Sequence, residues 1–100
     1  MHESAIPLLQ DFLLHTASRL PDKVALVCQQ RRVTYGELAA QSGRLAAFLV
    51  SKGLERGDRV IVYGDNTVET VVAFWAVLRA NAVVSVVNPL QAHHFAKAQL

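Results

Sequence analysis

Residues 59–87 read RVIVYGDNTVETVVAFWAVLRANAVVSVV, and this stretch decides the fold class. It opens with an unbroken β-rich run, Arg59 to Tyr63, and closes with a second one, Ala82 to Val87. Unbroken apolar runs are typical of strands that are covered on both faces, as in a parallel sheet. The segment between the runs is long enough for a helical crossover. We therefore predict a βαβ unit with a right-handed crossover, which makes the fold class α/β.

The crossover helix is predicted to run from Thr67 to Ala80, with Asn66 as its N-cap and Glu69 three residues later. Asn81 follows where glycine is usual, and asparagine is the next best residue for a left-handed backbone. Apolar residues leave this helix almost no polar face, so it should be buried on several sides. A chain of 100 residues has few other residues with which to cover such a helix. We therefore expect a piece of something larger, or a partner, and a helix that is only partly covered here.

A second helix begins at the short segment RVTYGEL, residues 32–38. Thr34 and Glu37 have the spacing of a capping box, and Val33 and Leu38 form a hydrophobic-staple pair across it. A reactive site in this segment would need a base to activate the threonine hydroxyl, and no histidine is near in sequence. The pattern therefore favours the first turn of a helix over a catalytic site.

Turn signals and apolar periodicity define the other elements. They are a helix from Pro7 to Arg19, a strand from Lys23 to Gln29, a turn at Gln30-Arg31, a returning strand at Arg32-Val33, a helix from about Tyr35 to Lys52 ended by Gly53, and a further helix from His93 to Leu100.

Composition excludes several classes of protein. The chain is 52% hydrophobic and 18% charged with a net charge of +2, and its basic residues are scattered, which argues against nucleic-acid binding. The longest apolar run, Val71 to Leu78, is far shorter than the ~20 residues that span a bilayer. No signal peptide is visible. The single cysteine, Cys28, cannot form an internal disulfide and is predicted to be a buried strand thiol, which fits a reducing, cytoplasmic setting.

The loop Gly64-Asp65-Asn66-Thr67 is the best candidate for a phosphate site, because a helix N-terminus that follows a strand binds anions readily. However, its spacing matches neither a Walker loop nor the dinucleotide glycine pattern. Asp65 also places a negative charge where a phosphate would sit. A plain strand-to-helix turn is the favoured interpretation.

The other reactive side chains form no recognisable catalytic or metal-binding arrangement. The histidines have no cysteine or carboxylate partners at metal-ligand spacing, and three carboxylates that could cluster each have a local role as turn or cap residue. We therefore assign no catalytic, cofactor-binding or metal-binding residue. The residues considered are His2, His15, His93 and His94, and the carboxylates Asp58, Asp65 and Glu69.

The order of these patterns resembles the start of the adenylate-forming (AMP-binding) superfamily, most closely an acyl-CoA synthetase. No single pattern is specific, but five occur in order at the family's spacing. They are P-D-x-x-A-L (Pro21, Asp22, Ala25, Leu26), T-Y-x-E-L (Thr34, Tyr35, Glu37, Leu38), G-[LV]-x-x-G-D-R-V (Gly53 to Val60), L-[KR]-A-G-A (Leu78, Arg79, Ala80, Ala82, with Asn81 in place of the glycine) and N-P (Asn88-Pro89).

The resemblance implies that residues 1–100 are the N-terminal portion of a large domain that is incomplete here. Complete family members use ATP and Mg²⁺ to join a carboxylate to AMP, then pass the acyl group to a thiol, often that of coenzyme A. The family's phosphate loop, adenine-binding aromatic motif, ribose-binding aspartate and catalytic lysine match no position of this sequence. The resemblance therefore transfers no catalytic residue and implies that the segment by itself binds no cofactor.

Three hypotheses follow. The first is the N-terminal scaffold of an AMP-forming carboxylate–CoA ligase, whose partner is the rest of the enzyme or a complementing chain. The second is a stand-alone interaction module or structural remnant that pairs with another chain through its exposed apolar helix. The third, a complete small nucleotide-binding protein, is the weakest because the phosphate loop is missing.

Overall fold

The computed structural model describes residues 9–65 and 67–87, which form three helices and four strands. The crossover predicted around residues 59–87 is present in the last part of the described chain, and a hairpin and two helices precede it. The elements are α1 (Leu9–Arg19), β1 (Val24–Cys28), β2 (Arg31–Thr34), α2 (Tyr35–Ser51), β3 (Arg59–Tyr63), α3 (Val68–Arg79) and β4 (Val83–Val87).

The βαβ unit forms as the sequence predicts. Strands β3 and β4 pair in parallel from Arg59 opposite Val83 to Tyr63 opposite Val87, with no shift of register. Helix α3 packs on one face of this pair and also contacts α1 and α2. The fold class is therefore α/β.

Strands β1 and β2 form an antiparallel hairpin with an irregularity between Val24 and Leu26. Because Cys28 pairs with Arg31, the turn consists of Gln29 and Gln30, and the predicted turn at Gln30-Arg31 is wrong by one residue. Both turn residues have positive φ, 52° and 71°. A two-residue turn of this hand matches the twist of the strands, and this constraint displaces the turn from the position that composition suggested.

The ends of α2 and α3 share one geometry. Gly53, with φ of 106°, donates its N–H to the Val50 carbonyl at 3.0 Å, and Leu54 donates to the Leu49 carbonyl at 3.1 Å. At the end of α3, Asn81 has φ of 63° and its N–H donates to the Leu78 carbonyl at 2.9 Å. Both ends are Schellman motifs, so the predicted left-handed caps at Gly53 and Asn81 are confirmed.

The start of α3 differs from the prediction. Its N-cap is Thr67, whose hydroxyl accepts a hydrogen bond from the N–H of Thr70. The N-cap predicted from the sequence, Asn66, is therefore wrong by one residue. Threonine is also a good N-cap, and adjacent capping residues cannot be ranked from sequence when both suit the position.

The core lies between α3, the start of α2, the hairpin and α1. Its most buried side chains are apolar and belong to all of these elements, so the hairpin and the βαβ unit share one core. The central cluster consists of Leu13, Val33, Leu38, Val68 and Val72.

The large apolar side chains that are most exposed lie outside α3, on the strands and on α1 and α2. No large apolar side chain of α3 is exposed, whereas Ile61 on β3 is 66% exposed and Tyr63 is 65% exposed. The expectation of a helix that is only partly covered is confirmed, since Val71, Phe74 and Trp75 are half-buried, although none of its large apolar side chains is exposed. Within the described residues, the strands are not covered on both faces. Helix α3 contacts α1, α2 and the two strands, and these contacts bury four of its residues and leave most of the others half-buried. Among residues 9–65 and 67–87, no element covers the face of β3 and β4 opposite α3.

Some predictions lie outside the described residues. They are the first residues of the predicted N-terminal helix, Asn88-Pro89, and the helix from His93 to Leu100. Within the described ranges, no helix combines the length and the apolar character needed to cross a membrane.

Candidate functional site

The segment around Thr34 is a helix cap. The Thr34 hydroxyl accepts a hydrogen bond from the N–H of Glu37 at 3.1 Å, and the Glu37 carboxylate accepts one from the N–H of Thr34 at 2.9 Å. Val33 and Leu38, the predicted staple residues, are 2% and 3% exposed. The Thr34 hydroxyl and one carboxylate oxygen of Glu37 are therefore engaged by the helix start, and the capping box is confirmed.

The preceding loop occupies the remaining donors at this helix start. The N–H of Tyr35 donates to the Lys23 carbonyl and that of Gly36 to the Pro21 carbonyl, both at 2.9 Å. A Cβ atom at Gly36 would lie 3.0 Å from the Pro21 oxygen. Because the amides of the first turn already have partners, this helix N-terminus offers them to no anion. Sequence reasoning missed this contact, since backbone acceptors leave no signature in side-chain identity.

In the candidate phosphate loop between β3 and α3, hydrogen-bonding groups are likewise engaged within the fold. The Thr67 hydroxyl lies 3.2 Å from the N–H of Thr70 and 3.0 Å from the Thr70 hydroxyl. A Cβ atom at Gly64 would overlap the hydroxyl oxygen of Thr70. Glycine is therefore needed for the close approach of the strand end to the helix. The arrangement supports the interpretation as a plain strand-to-helix turn.

Glu69 adds negative charge at the same helix start. The pKa of its carboxyl is lowered from the usual value, first because the carboxylate accepts a hydrogen bond from its own backbone N–H and then because it accepts one from Arg31. The Arg31 Nη1 to Glu69 Oε2 distance is 2.9 Å, and both side chains are exposed. A carboxylate on the positive end of the helix takes the electrostatic role that a bound phosphate would have.

The three carboxylates that could have formed a cluster are not brought together. Asp58 lies before β3 and accepts a hydrogen bond from the N–H of Glu55 at 2.8 Å. Asp65 and Glu69 lie beyond the other end of β3, and five strand residues span about 16 Å. Among residues 9–65 and 67–87, no three His, Cys, Asp or Glu side chains form a group that could hold a metal ion.

The remaining candidates are dispersed. His15 is exposed on α1, and the other three histidines lie outside the described residues. Cys28 is half-buried at the end of β1 and packs against the core cluster. Its predicted burial is thus confirmed only in part.

Arg79 has a role that the sequence did not reveal. Its guanidinium donates to the Ala39 carbonyl and to the Ser42 hydroxyl, the latter at 3.2 Å, and so joins the end of α3 to the middle of α2. A Cβ atom at Gly43 would lie 2.8 Å from the Arg79 Nη1 atom. Gly43 therefore makes room for the guanidinium. The sequence signal that could have indicated this contact was Gly43, because a glycine inside a helix usually has a packing reason.

An open depression of about 480 Å³ lies beside this contact, between the last turns of α2 and α3. Its lining consists mostly of small apolar residues: Gly43, Ala46, Ala47, Val50, Ser51, Arg79 and Ala80. The donors of Arg79 that point toward α2 are engaged there, so the depression presents little polar chemistry.

Comparison with known proteins places this scaffold in a family. The model of the AMP-binding enzyme family matches residues 13–100. The long-chain-fatty-acid–CoA ligase of Bacillus subtilis is 38% identical over 101 residues, which are 99% of this chain and 18% of that ligase. Triostin synthetase I of Streptomyces triostinicus is 43% identical over 75 residues, which are 75% of this chain and 14% of that protein.

Comparison with solved structures gives the same result. The N-terminal subdomain of NpsA from Klebsiella oxytoca superposes with a TM-score of 0.79 at 35% identity, over 83% of this chain and 22% of that subdomain. The chain therefore spans about a fifth of the proteins that it matches. The match extends over the hairpin, the capped helix and the βαβ unit alike. The chain belongs to the AMP-binding enzyme family.

Proposed function

We propose that the chain is the N-terminal scaffold segment of an ATP-dependent, AMP-forming carboxylate–CoA ligase, and that it is not catalytic by itself. The observation that carries this proposal is the role of the residues shared with the family pattern. Thr34, Glu37, Gly53, Asp58 and Arg79 each form part of a helix end, a turn or a contact between helices. These residues belong to the family pattern, yet each of them stabilises the fold. Their roles therefore support a structural function for this segment rather than a catalytic one.

ATP, Mg²⁺ and coenzyme A belong to the proposed complete enzyme. The described residues do not fit them, because the amides at the start of α2 and the threonine cap of α3 are already engaged and no carboxylate cluster is available. We therefore derive no catalytic step from these residues. That this segment binds no cofactor remains a prediction.

The proposed substrate of the complete enzyme is a carboxylic acid, which would be converted to an acyl-adenylate and then to a thioester. The Bacillus relative supports a fatty acid and coenzyme A, and so a role in fatty acid metabolism. The similarity to Triostin synthetase I keeps a different acceptor thiol as the alternative. A cytoplasmic location is part of the proposal and rests on the single, partly buried cysteine.

One observation favours a second candidate, an interaction module that pairs with another chain. The outer side chains of β3 include Ile61 and Tyr63, about two-thirds exposed, which is unusual for a parallel pair of strands. The partner surface would then be the sheet and not helix α3.

A chimera tests the scaffold proposal. Residues 1–100 replace the matched segment of the Bacillus ligase, and acid-dependent ATP–pyrophosphate exchange and CoA thioester formation are measured. We expect both activities within about tenfold of the parent, since a scaffold segment should change the activation free energy by no more than ~1.4 kcal/mol. The parent ligase without its matched segment is the control and should be inactive. A chimera that melts cooperatively but activates none of the parent's acids would refute the proposal.

A further inference from the structure

We draw no further inference here: the strongest candidate, the open depression between the last turns of α2 and α3, is lined mostly by small apolar residues, and nothing in the part of the chain that the structure describes shows what covers it.

Discussion

Single residues of the family pattern act at the ends of helices. Thr34 and Glu37 close the start of α2, and Asn81 closes the end of α3 at φ of 63°. Asn81 stands where the family pattern has glycine, and its side chain also accepts a hydrogen bond from Gln10 at 3.1 Å. Asparagine tolerates the left-handed region better than other residues with a Cβ atom, which explains why the substitution preserves the cap.

The capping box yields a prediction about Thr34. Thr34→Ala should lower the free energy of unfolding by about 1 kcal/mol, because the N–H of Glu37 loses its acceptor. Thr34→Ser should cost much less, since serine keeps the oxygen, and Glu37→Gln should be mild. The measurements are the denaturant midpoint of the chain and the acyl-adenylate rate of the chimera. An unchanged midpoint with a hundredfold slower rate for Thr34→Ala would assign this residue to the transition state instead.

At the scale of whole elements, the sequence predicts most of the described fold. Unbroken apolar runs located β3 and β4, and the capping box and the left-handed caps located the ends of α2 and α3. The hairpin turn was misplaced because Gln29 and Gln30 carry none of the Asn-Gly chemistry that marks such turns. The Arg79 contact was missed because it joins residues 40 positions apart, and no local pattern encodes that distance.

The hairpin turn yields the second prediction. Glutamine in the left-handed region is strained, and both turn residues have positive φ. Replacing Gln29 by Asn and Gln30 by Gly should therefore stabilise the chain by about 1–2 kcal/mol. Denaturant midpoints measure the gain. Gln30→Ala is the matched control and should give no gain, because alanine carries the same penalty. An equal gain from alanine would contradict the assigned turn.

The contact between α2 and α3 yields the third prediction. Gly43→Ala should destabilise the chain although alanine favours helix by about 1 kcal/mol, because the new Cβ atom displaces the Arg79 guanidinium from its acceptors. In an Arg79→Met background the same change should stabilise by about 1 kcal/mol, since the guanidinium is absent. A double-mutant cycle of unfolding free energies measures the coupling. The same sign in both backgrounds would refute the contact.

At the scale of the whole molecule, the buried core and the open sheet face have a common cause. The hairpin and α1 cover the first turns of α2 and α3, so the start of the βαβ helix is buried in the core, whereas much of the rest of the helix is half-buried. No remaining element of the described chain covers the face of β3 and β4 opposite α3. The sequence correctly indicated that apolar surface is in excess and that α3 is only partly covered. It did not predict that the most exposed apolar side chains lie on other elements, because apolar composition alone does not show which element the rest of the chain covers.

The prediction that this chain is not catalytic by itself can be tested directly. The isolated 100-residue chain should catalyse no acid-dependent ATP–pyrophosphate exchange, because the positioned donors that stabilise a phosphoryl or acyl transition state are not provided by the described residues. The amides at the start of α2 and the Thr67 cap of α3 are already engaged within the fold. The measurement uses labelled pyrophosphate with a panel of fatty and aromatic acids, and the intact Bacillus ligase is the positive control. Exchange that follows the purified chain through two chromatographic steps, and that Gly64→Val or Thr67→Ala abolishes, would show that the loop between β3 and α3 is a nucleotide site after all. Exchange that is insensitive to both substitutions and is lost on further purification would identify a contaminating ligase, and the scaffold role would stand.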